Sequence, residues 1–297
     1  MNTFPSPRQL RYLVALSEEL NFTRAADKCF VTQSTLSAGL KELERVLGAE
    51  LVERDRQNVL MTPIGVEVVR RARAILAATQ DLVGLAAAAG EPMSGSLRLG
   101  VIPTIAPFLL PRTTHLLRER YPSLRLVLRE DLTANLLARL GSGELDFALI
   151  ALPFDTGKLL VEPLFDDDLW LVGRKDDPEL NARRVSVTQA LTDRMLLLEE
   201  GHCLREHALY ACSGRPQTSA EGGIEATSLL TLVEMVESGL GVGLVPEMAV
   251  RSRLTDSPGL VARPLLEPSP KRTIALAARP STTRLADLRA LAEIIVA

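Results

Sequence analysis

The chain contains no apolar stretch of about 18 residues, so no segment is long and greasy enough to span a membrane. Its opening, MNTFPSPRQLRYLV, lacks a basic segment followed by an apolar one, so a secretory signal is not expected and a cytoplasmic location is. Cysteine is scarce, with three in 297 residues, which is too few for a disulfide scaffold. In a reducing compartment such cysteines are buried, metal-binding, catalytic or redox-sensing. There is no excess of either charge: 34 Lys and Arg face 37 Asp and Glu, for a net charge of −3. A nucleic-acid partner must therefore be met by a local patch. No internal repeat occurs. The 46% apolar and 24% charged content is that of a folded globular chain, long enough for two or three domains.

The charge and texture are uneven. Residues 1–90 carry 11 basic and 10 acidic side chains and read as helices, while the remainder is net −4. The Gly/Pro/Ser stretch from Gly90 to Ser96 marks the boundary. Beyond it, strand candidates at Leu97–Ile102, Leu124–Leu128, Asp146–Ala151, Leu169–Val172, Leu196–Leu198, Val242–Val245 and Thr273–Ala277 alternate with helical text such as Phe108–Arg120 and Asn135–Leu140. That alternation predicts α/β units on mostly parallel sheets. The glycines at 239, 241 and 243 do not form a dinucleotide fingerprint. Their spacing is wrong, and helix precedes strand rather than following it.

In the N-terminal part, a short helix is expected over Thr23–Cys29, where Ala25 and Ala26 let a neighbour approach closely. After a break at Phe30–Val31, Thr32 can cap a second helix. Leu36, Leu40, Leu43 and Leu47 make one apolar stripe, and Gly48 ends the helix. The other face shows Gln33, Ser34, Thr35, Ser37 and Lys41, short hydrogen-bonding groups with one cation. Such a face suits base edges in a major groove, and it equally suits an ordinary solvated helix. Arg54 and Arg56 follow before a hairpin ending at Leu60–Thr62 and suit phosphate or minor-groove contact.

The run AADKCFVTQSTLSAGLKELERVLGAELVERDRQNVLMTPIG resembles the winged helix-turn-helix of LysR-type transcriptional regulators. The likeness covers residues 6–65 and implies a DNA-binding domain over about 1–62. Gly39 departs from the pattern, where a longer polar side chain is usual, with an expected effect on base preference or helix rigidity. Thr62-Pro63 is a strong helix start. Ile64, Val68, Ala72, Ile75, Thr79, Leu82 and Ala86 then form a narrow seam, which the resemblance assigns to a dimerising linker helix over 63–90. Arg70, Arg71 and Arg73 would be its solvated faces, and Cys29 a small core residue. The resemblance further implies a periplasmic-binding-protein-like regulatory domain over 91–297. Its first subdomain would cover about 96–168 and 272–297, its second about 169–271, around a cleft.

The segment LLLEEGHCLREHALYAC holds Cys203 and Cys212 nine residues apart, with His202, Arg205 and His207 nearby. Four readings fit it: two unrelated buried thiols, a metal site, a Cys/His nucleophile, or a thiol switch. Cys203 sits among polar neighbours. If Leu204–Ala211 is helical, the two cysteines lie about 13–14 Å apart along the axis. A disulfide needs Cα atoms within roughly 7 Å, so its formation would require unwinding. A helix N-terminus and Arg205 would lower the thiol pKa, while Glu199 and Glu200 oppose this.

The segment is similar to that of a peroxide-sensing branch of the same family. GVIPTIAPFLLP, FDDDLWL, EATSLLTLVEMVESGLGVGLVP and KRTIALAARP carry the likeness along nearly the whole chain. It implies Cys203 as the peroxidatic thiol and Cys212 as the resolving one. Thr104, Thr133, His202, Arg205 and Arg272 would surround the peroxide. It implies no cofactor and no metal, and as partners double-stranded promoter DNA, hydrogen peroxide, RNA polymerase and further copies of the chain, as dimer and tetramer. Gly223 stands where a histidine is usual and Glu225 where a basic residue is. The alternative is a regulator of the same family that binds a small metabolite in its cleft.

Overall fold

The computed structural model describes residues 4–54, 59–88, 92–211, 225–266 and 270–297. Among them no helix is long and apolar enough to cross a membrane. The chain divides into two compact units, one formed mainly by residues 1–89 and the other by 90–297.

In the first unit, Ser6 and Gln9 form a reciprocal cap on α1 (Pro7–Glu19), with Pro7 in the first turn. Asn21 accepts from the amides of Thr23 and Arg24 and starts α2 (Phe22–Cys29). The chain turns at Phe30, whose φ is +57°. Thr32 caps α3 (Gln33–Leu47) by accepting from the Thr35 amide, and Gly48 closes it with φ +66°. Leu36, Leu40 and Leu43 are fully buried in one core with Leu10, Leu13, Leu16 and the alanine pair 25 and 26. Leu47 is 39% exposed, so the stripe stops one residue short of the expected end, where the helix runs out.

Strands β1 (Val52–Arg54) and β2 (Val59–Met61) pair antiparallel. The Thr62 hydroxyl then donates to the Glu50 carbonyl and accepts from the Gly65 amide, launching α4 (Pro63–Ala88). The expected single seam divides. Val69 and Ala72, with Val68 and Leu76 at their sides, pack in the core of the first unit, whereas Ile64, Ile75 and Leu82 are exposed. Arg70 and Arg71 pair with Glu67 in solvent, but Arg73 is drawn to Glu18 of α1 and is not a fully solvated face.

The second unit is a mixed sheet of nine strands with helices on its faces. Strand β3 (Gly95–Val101) lies between β4 (Leu124–Glu130) and β5 (Phe147–Leu152), parallel to both. The helices α5 (Ala106–Arg120) and α6 (Thr133–Gly141) make the crossovers. The sheet is not mostly parallel. The long β6 (Leu160–Arg174) and β11 (Lys271–Ala278) run antiparallel to each other in its middle. β6 pairs with β11 through Asp168, then from Leu169 with β9 (Val242–Pro246) and β10 (Leu260–Pro264). One strand therefore serves two halves.

In the second half β7 (Met195–Leu198) pairs parallel with β9 and with the short β8 (Glu225–Ala226). Its helices are α7 (Gln189–Thr192), α8 (Cys203–Ala211), α9 (Leu229–Glu237) and α10 (Glu247–Arg251), while α11 (Leu285–Val296) returns to the first half. One core gathers Leu99, Phe147, Leu149, Ile274, Leu136 and Leu291. Two smaller cores cover the faces of the second half, around Val172, Val236 and Val245 and around Leu171, Met195 and Leu244.

Candidate functional site

Three chain segments that leave strand ends meet at one small pocket. The loop after β3 brings Thr104, the start of α6 brings Thr133, and the turn before α8 brings Gly201, His202 and Cys203. With Ile102, Pro103 and Leu132 they line a small, partly open recess. Strand C-terminal ends are where α/β sheets expose backbone amides to a ligand. Gly201 has φ +93°, and a Cβ there would sit 2.9 Å from Leu132 Cδ1, so only glycine makes this turn without strain.

Cys203 is the first residue of α8 and is only 5% exposed. The sequence suggested a polar setting and a lowered thiol pKa. Instead the sulfur belongs to the large apolar core, and burial pushes the thiol pKa up. Opposing that rise are the positive charge of Arg272, the Thr133 hydroxyl and the amides of Leu204 and Cys203. Thr133 Oγ1 is buried without a hydrogen-bond partner of ordinary geometry, leaving it available to the sulfur.

The cation of the pocket is Arg272, not Arg205. Fully buried, Arg272 donates from Nη1 to Thr104 Oγ1 at 2.7 Å, from Nη2 to the Thr104 carbonyl at 3.0 Å and from Nε to Asp167 Oδ2 at 2.9 Å. Asp167 Oδ1 accepts from the Met248 amide at 3.0 Å. Burial pushes the Asp167 carboxyl up, and Arg272 and that amide pull it back. Arg205 turns away: its Nη1 donates to the Leu198 carbonyl at 2.7 Å and to Glu225 Oε1 at 2.6 Å. The unusual Glu225 is thus the partner that takes Arg205 out of the pocket.

Two histidines flank the thiol, His202 just before α8 and His207 on it. His202 is 9% exposed and its pKa is lowered by burial, which favours a neutral ring. His207, one turn beyond Cys203, is lowered to about 4 by burial and by the Arg272 charge. Neither of its ring nitrogens has a hydrogen-bond partner of ordinary geometry. Among the described residues no group of three or more His, Cys, Asp or Glu is arranged to hold a metal. Cys212, Gly223 and Arg56 lie outside the described residues.

On the first unit, Gln33, Ser34, Thr35 and Lys41 are exposed along α3, and Ser37 is half-buried. The Thr32 hydroxyl lies 3.0 Å from Ser34 Oγ and 2.8 Å from Thr35 Oγ1, tying the first turn together. Arg54 ends β1 at the wing. Cys29 is 4% exposed in the core, and burial raises its thiol pKa. Sequence reasoning missed Asp167, Met248 and Tyr12. Asp167 sits in a run of three aspartates that reads as surface, and only its pairing with Arg272 marks it.

Capped helices with a two-stranded wing, followed in the chain by an α/β unit, are the architecture of a DNA-binding transcriptional regulator. Residues 7–66 match the bacterial regulatory helix-turn-helix of the lysR family, and residues 90–297 match the LysR substrate binding domain. The chain belongs to the LysR family of bacterial transcriptional regulators. It is 46% identical over 296 residues to the HTH-type transcriptional regulator EstR of Acinetobacter baylyi, covering 99% of this chain and 97% of that one. It is 41% identical over 276 residues to the hydrogen peroxide-inducible genes activator of Dickeya chrysanthemi, covering 93% and 90%. A full-length OxyR variant from Pseudomonas aeruginosa superposes with a TM-score of 0.80 at 36% identity, covering 99% and 98%.

Proposed function

We propose that this regulator senses hydrogen peroxide through Cys203, with Cys212 as the resolving thiol, and controls antioxidant genes. The observation that carries the reading is the setting of Cys203. It is a single thiol at a helix start, facing Thr104 and Thr133, with a buried arginine behind. The Cys203 sulfur attacks one peroxide oxygen; the S–O bond forms as the O–O bond breaks. The thiol proton joins the departing hydroxide as water. The Cys212 sulfur then attacks the Cys203 sulfur; the S–O bond breaks, the Cys212 thiol proton joins the departing hydroxyl as a second water, and the disulfide closes. Thr104 and Thr133 hydrogen-bond the peroxide, and His202 borders it. The likeness to a peroxide-inducible activator and to an OxyR structure supports the same reading.

In this reading Gln33, Ser34, Thr35 and Ser37 of α3 face base edges of promoter DNA, while Lys41, Arg54 and Arg56 anchor phosphates. The exposed row of Ile64, Ile75 and Leu82 on α4 pairs two copies, and further contacts build a tetramer that engages RNA polymerase. Replacing Cys203 with Ser abolishes the peroxide-dependent change in a DNA footprint; an unchanged response overturns the mechanism. The match of residues 90–297 to the LysR substrate binding domain favours a second reading, a small metabolite as inducer. Against it, the recess at Cys203 is small and partly open, well short of ordinary ligand pockets of about 300 Å³ upward. Mass-spectrometric mapping of a Cys203–Cys212 bond after mild peroxide separates the two.

A further inference from the structure

The chain leaves β7 at Leu198, winds into α8 from Cys203 and re-enters the sheet at Glu225 of β8. One nitrogen closes that excursion: Arg205 Nη1 donates to the Leu198 carbonyl on the outgoing strand and to Glu225 on the returning one. The Arg205 side chain is 11% exposed and that of Glu225 34%, so the guanidinium is shielded while the carboxylate reaches solvent. Arg205 also stands in the first turn of α8, where the helix dipole disfavours a cation. Its place there is explained by what it holds, not by helix preference.

The turn it holds is the one that carries the sulfur, since the amides of Cys203 and Leu204 both act on the thiol. Helix α8 runs to Ala211, next to Cys212 in sequence. Cys203 and Ala211 are eight residues apart on α8, about 12 Å of helical rise, while a disulfide needs Cα atoms within roughly 7 Å, so α8 must unwind in part before Cys203 can bond to a thiol just past the helix end. Unwinding from the Cys203 end pulls Arg205 from both acceptors. The loss falls on the disulfide step and not on the attack on peroxide, which needs no unwinding.

We infer that the Arg205–Glu225 clasp sets the peroxide threshold of this regulator by holding the first turn of α8 closed until the sulfur is oxidised; the inference rests on the Cys203–Cys212 reading above. Arg205 and Glu225 are positioning residues, acting through the helix. The clasp is specific to a chain with an acid at position 225.

The test uses the full-length reduced protein and the variants Glu225→Gln, near-isosteric and uncharged, and Glu225→Lys, which repels Arg205. Peroxide consumption by Cys203 is followed in stopped flow, and disulfide closure by rapid thiol trapping and mass spectrometry. Peroxide consumption is expected to stay within twofold of the parent. Disulfide closure accelerates about fivefold in Glu225→Gln, the scale of the difference between a charge-assisted and a neutral hydrogen bond, and further in Glu225→Lys. The peroxide midpoint for the DNA response falls in the same order. Closure rates within twofold of the parent in both variants overturn the clasp while leaving the sensing reading intact, as does an equal change in both steps. Absence of a Cys203–Cys212 bond in the parent protein overturns the sensing reading and the clasp together.

Discussion

Arg272 and Thr104 are 168 residues apart in sequence and are joined by two hydrogen bonds, one to the hydroxyl and one to the carbonyl. Through the same guanidinium Arg272 holds Asp167, whose other oxygen holds the Met248 amide. The loop after β3, the middle of β6, the start of α10 and the start of β11 are thereby fixed around one buried charge pair beside the Cys203 pocket.

Arg272→Met leaves Asp167 buried at 3% exposure with no cation. Breaking one side of such a pair costs about 3–5 kcal/mol, so thermal unfolding shifts strongly downward. Adding Asp167→Asn removes the stranded charge and recovers part of that loss, because the two positions are coupled. Both variants also lack the positive charge that favours the Cys203 thiolate, so alkylation of Cys203 needs higher pH than in the parent. An Arg272→Met protein as stable as the parent would contradict the role assigned to the pair.

Thr133→Val separates stability from chemistry. The Thr133 hydroxyl is buried without a conventional partner, so removing it leaves stability unchanged or raises it by about 1 kcal/mol. The Cys203 thiol, already pushed up by burial, loses one of the groups that pull it back. Its reaction with peroxide and its alkylation then slow at fixed pH. The sign for folding follows: with a thiol pKa above its unfolded value, the proton-linked stabilisation is full below the unfolded pKa and declines as pH rises through the folded one. Urea melts between neutral and alkaline pH, run beside iodoacetamide rates, measure both effects.

Gly39 on α3 faces inward. A Cβ there would lie 2.7 Å from Tyr12 Cδ2 and 2.9 Å from Cε2, and Tyr12 is 2% exposed in the core. The position serves the close approach of α1 and α3, which gives a packing reason for glycine here. Gly39→Ala is expected to cost about 1–3 kcal/mol by overpacking, despite alanine's higher helix propensity. Gly39→Ala with Tyr12→Leu regains part of it. A stabilised single variant in thermal melts would show that the ring moves aside freely.

The N-terminal elements were legible because capping residues, periodic leucines and a terminal glycine all agree locally, as at Thr32, Leu36 and Gly48. What was not legible depends on distant partners. The first half of β6, with LVEPLFDDD, has no strand periodicity; it becomes a strand because β11 pairs with it and Arg272 neutralises Asp167. Cys203 looked polar from its neighbours, yet Arg205 is pulled outward by Glu225, twenty residues on, and the sulfur falls into the core. The cation that acts on it comes from β11, which spacing along α8 does not reveal. The α4 seam divided for a similar reason. Periodicity gives faces, but not which turn of the helix meets its own domain.

His207 makes α8 sensitive to acid. Its folded pKa is about 4 against an ordinary 6.5, lowered by burial and by Arg272, and its ring nitrogens lack partners of ordinary geometry. The charged and polar groups acting on it are the Arg272 guanidinium from β11 and the Pro153 carbonyl after β5. Between those two pH values the unfolded chain binds a proton that the folded chain refuses. Stability is therefore full above about pH 6.5 and declines as pH falls toward 4, by at most about 3 kcal/mol. His207→Leu removes that titration, and the variant's stability is flatter between pH 6.5 and 4. Denaturant melts of both proteins across that range give the comparison. Parallel pH curves would mean that His207 takes up its proton in the folded state, and so is not held in the dry, cation-facing position found on α8.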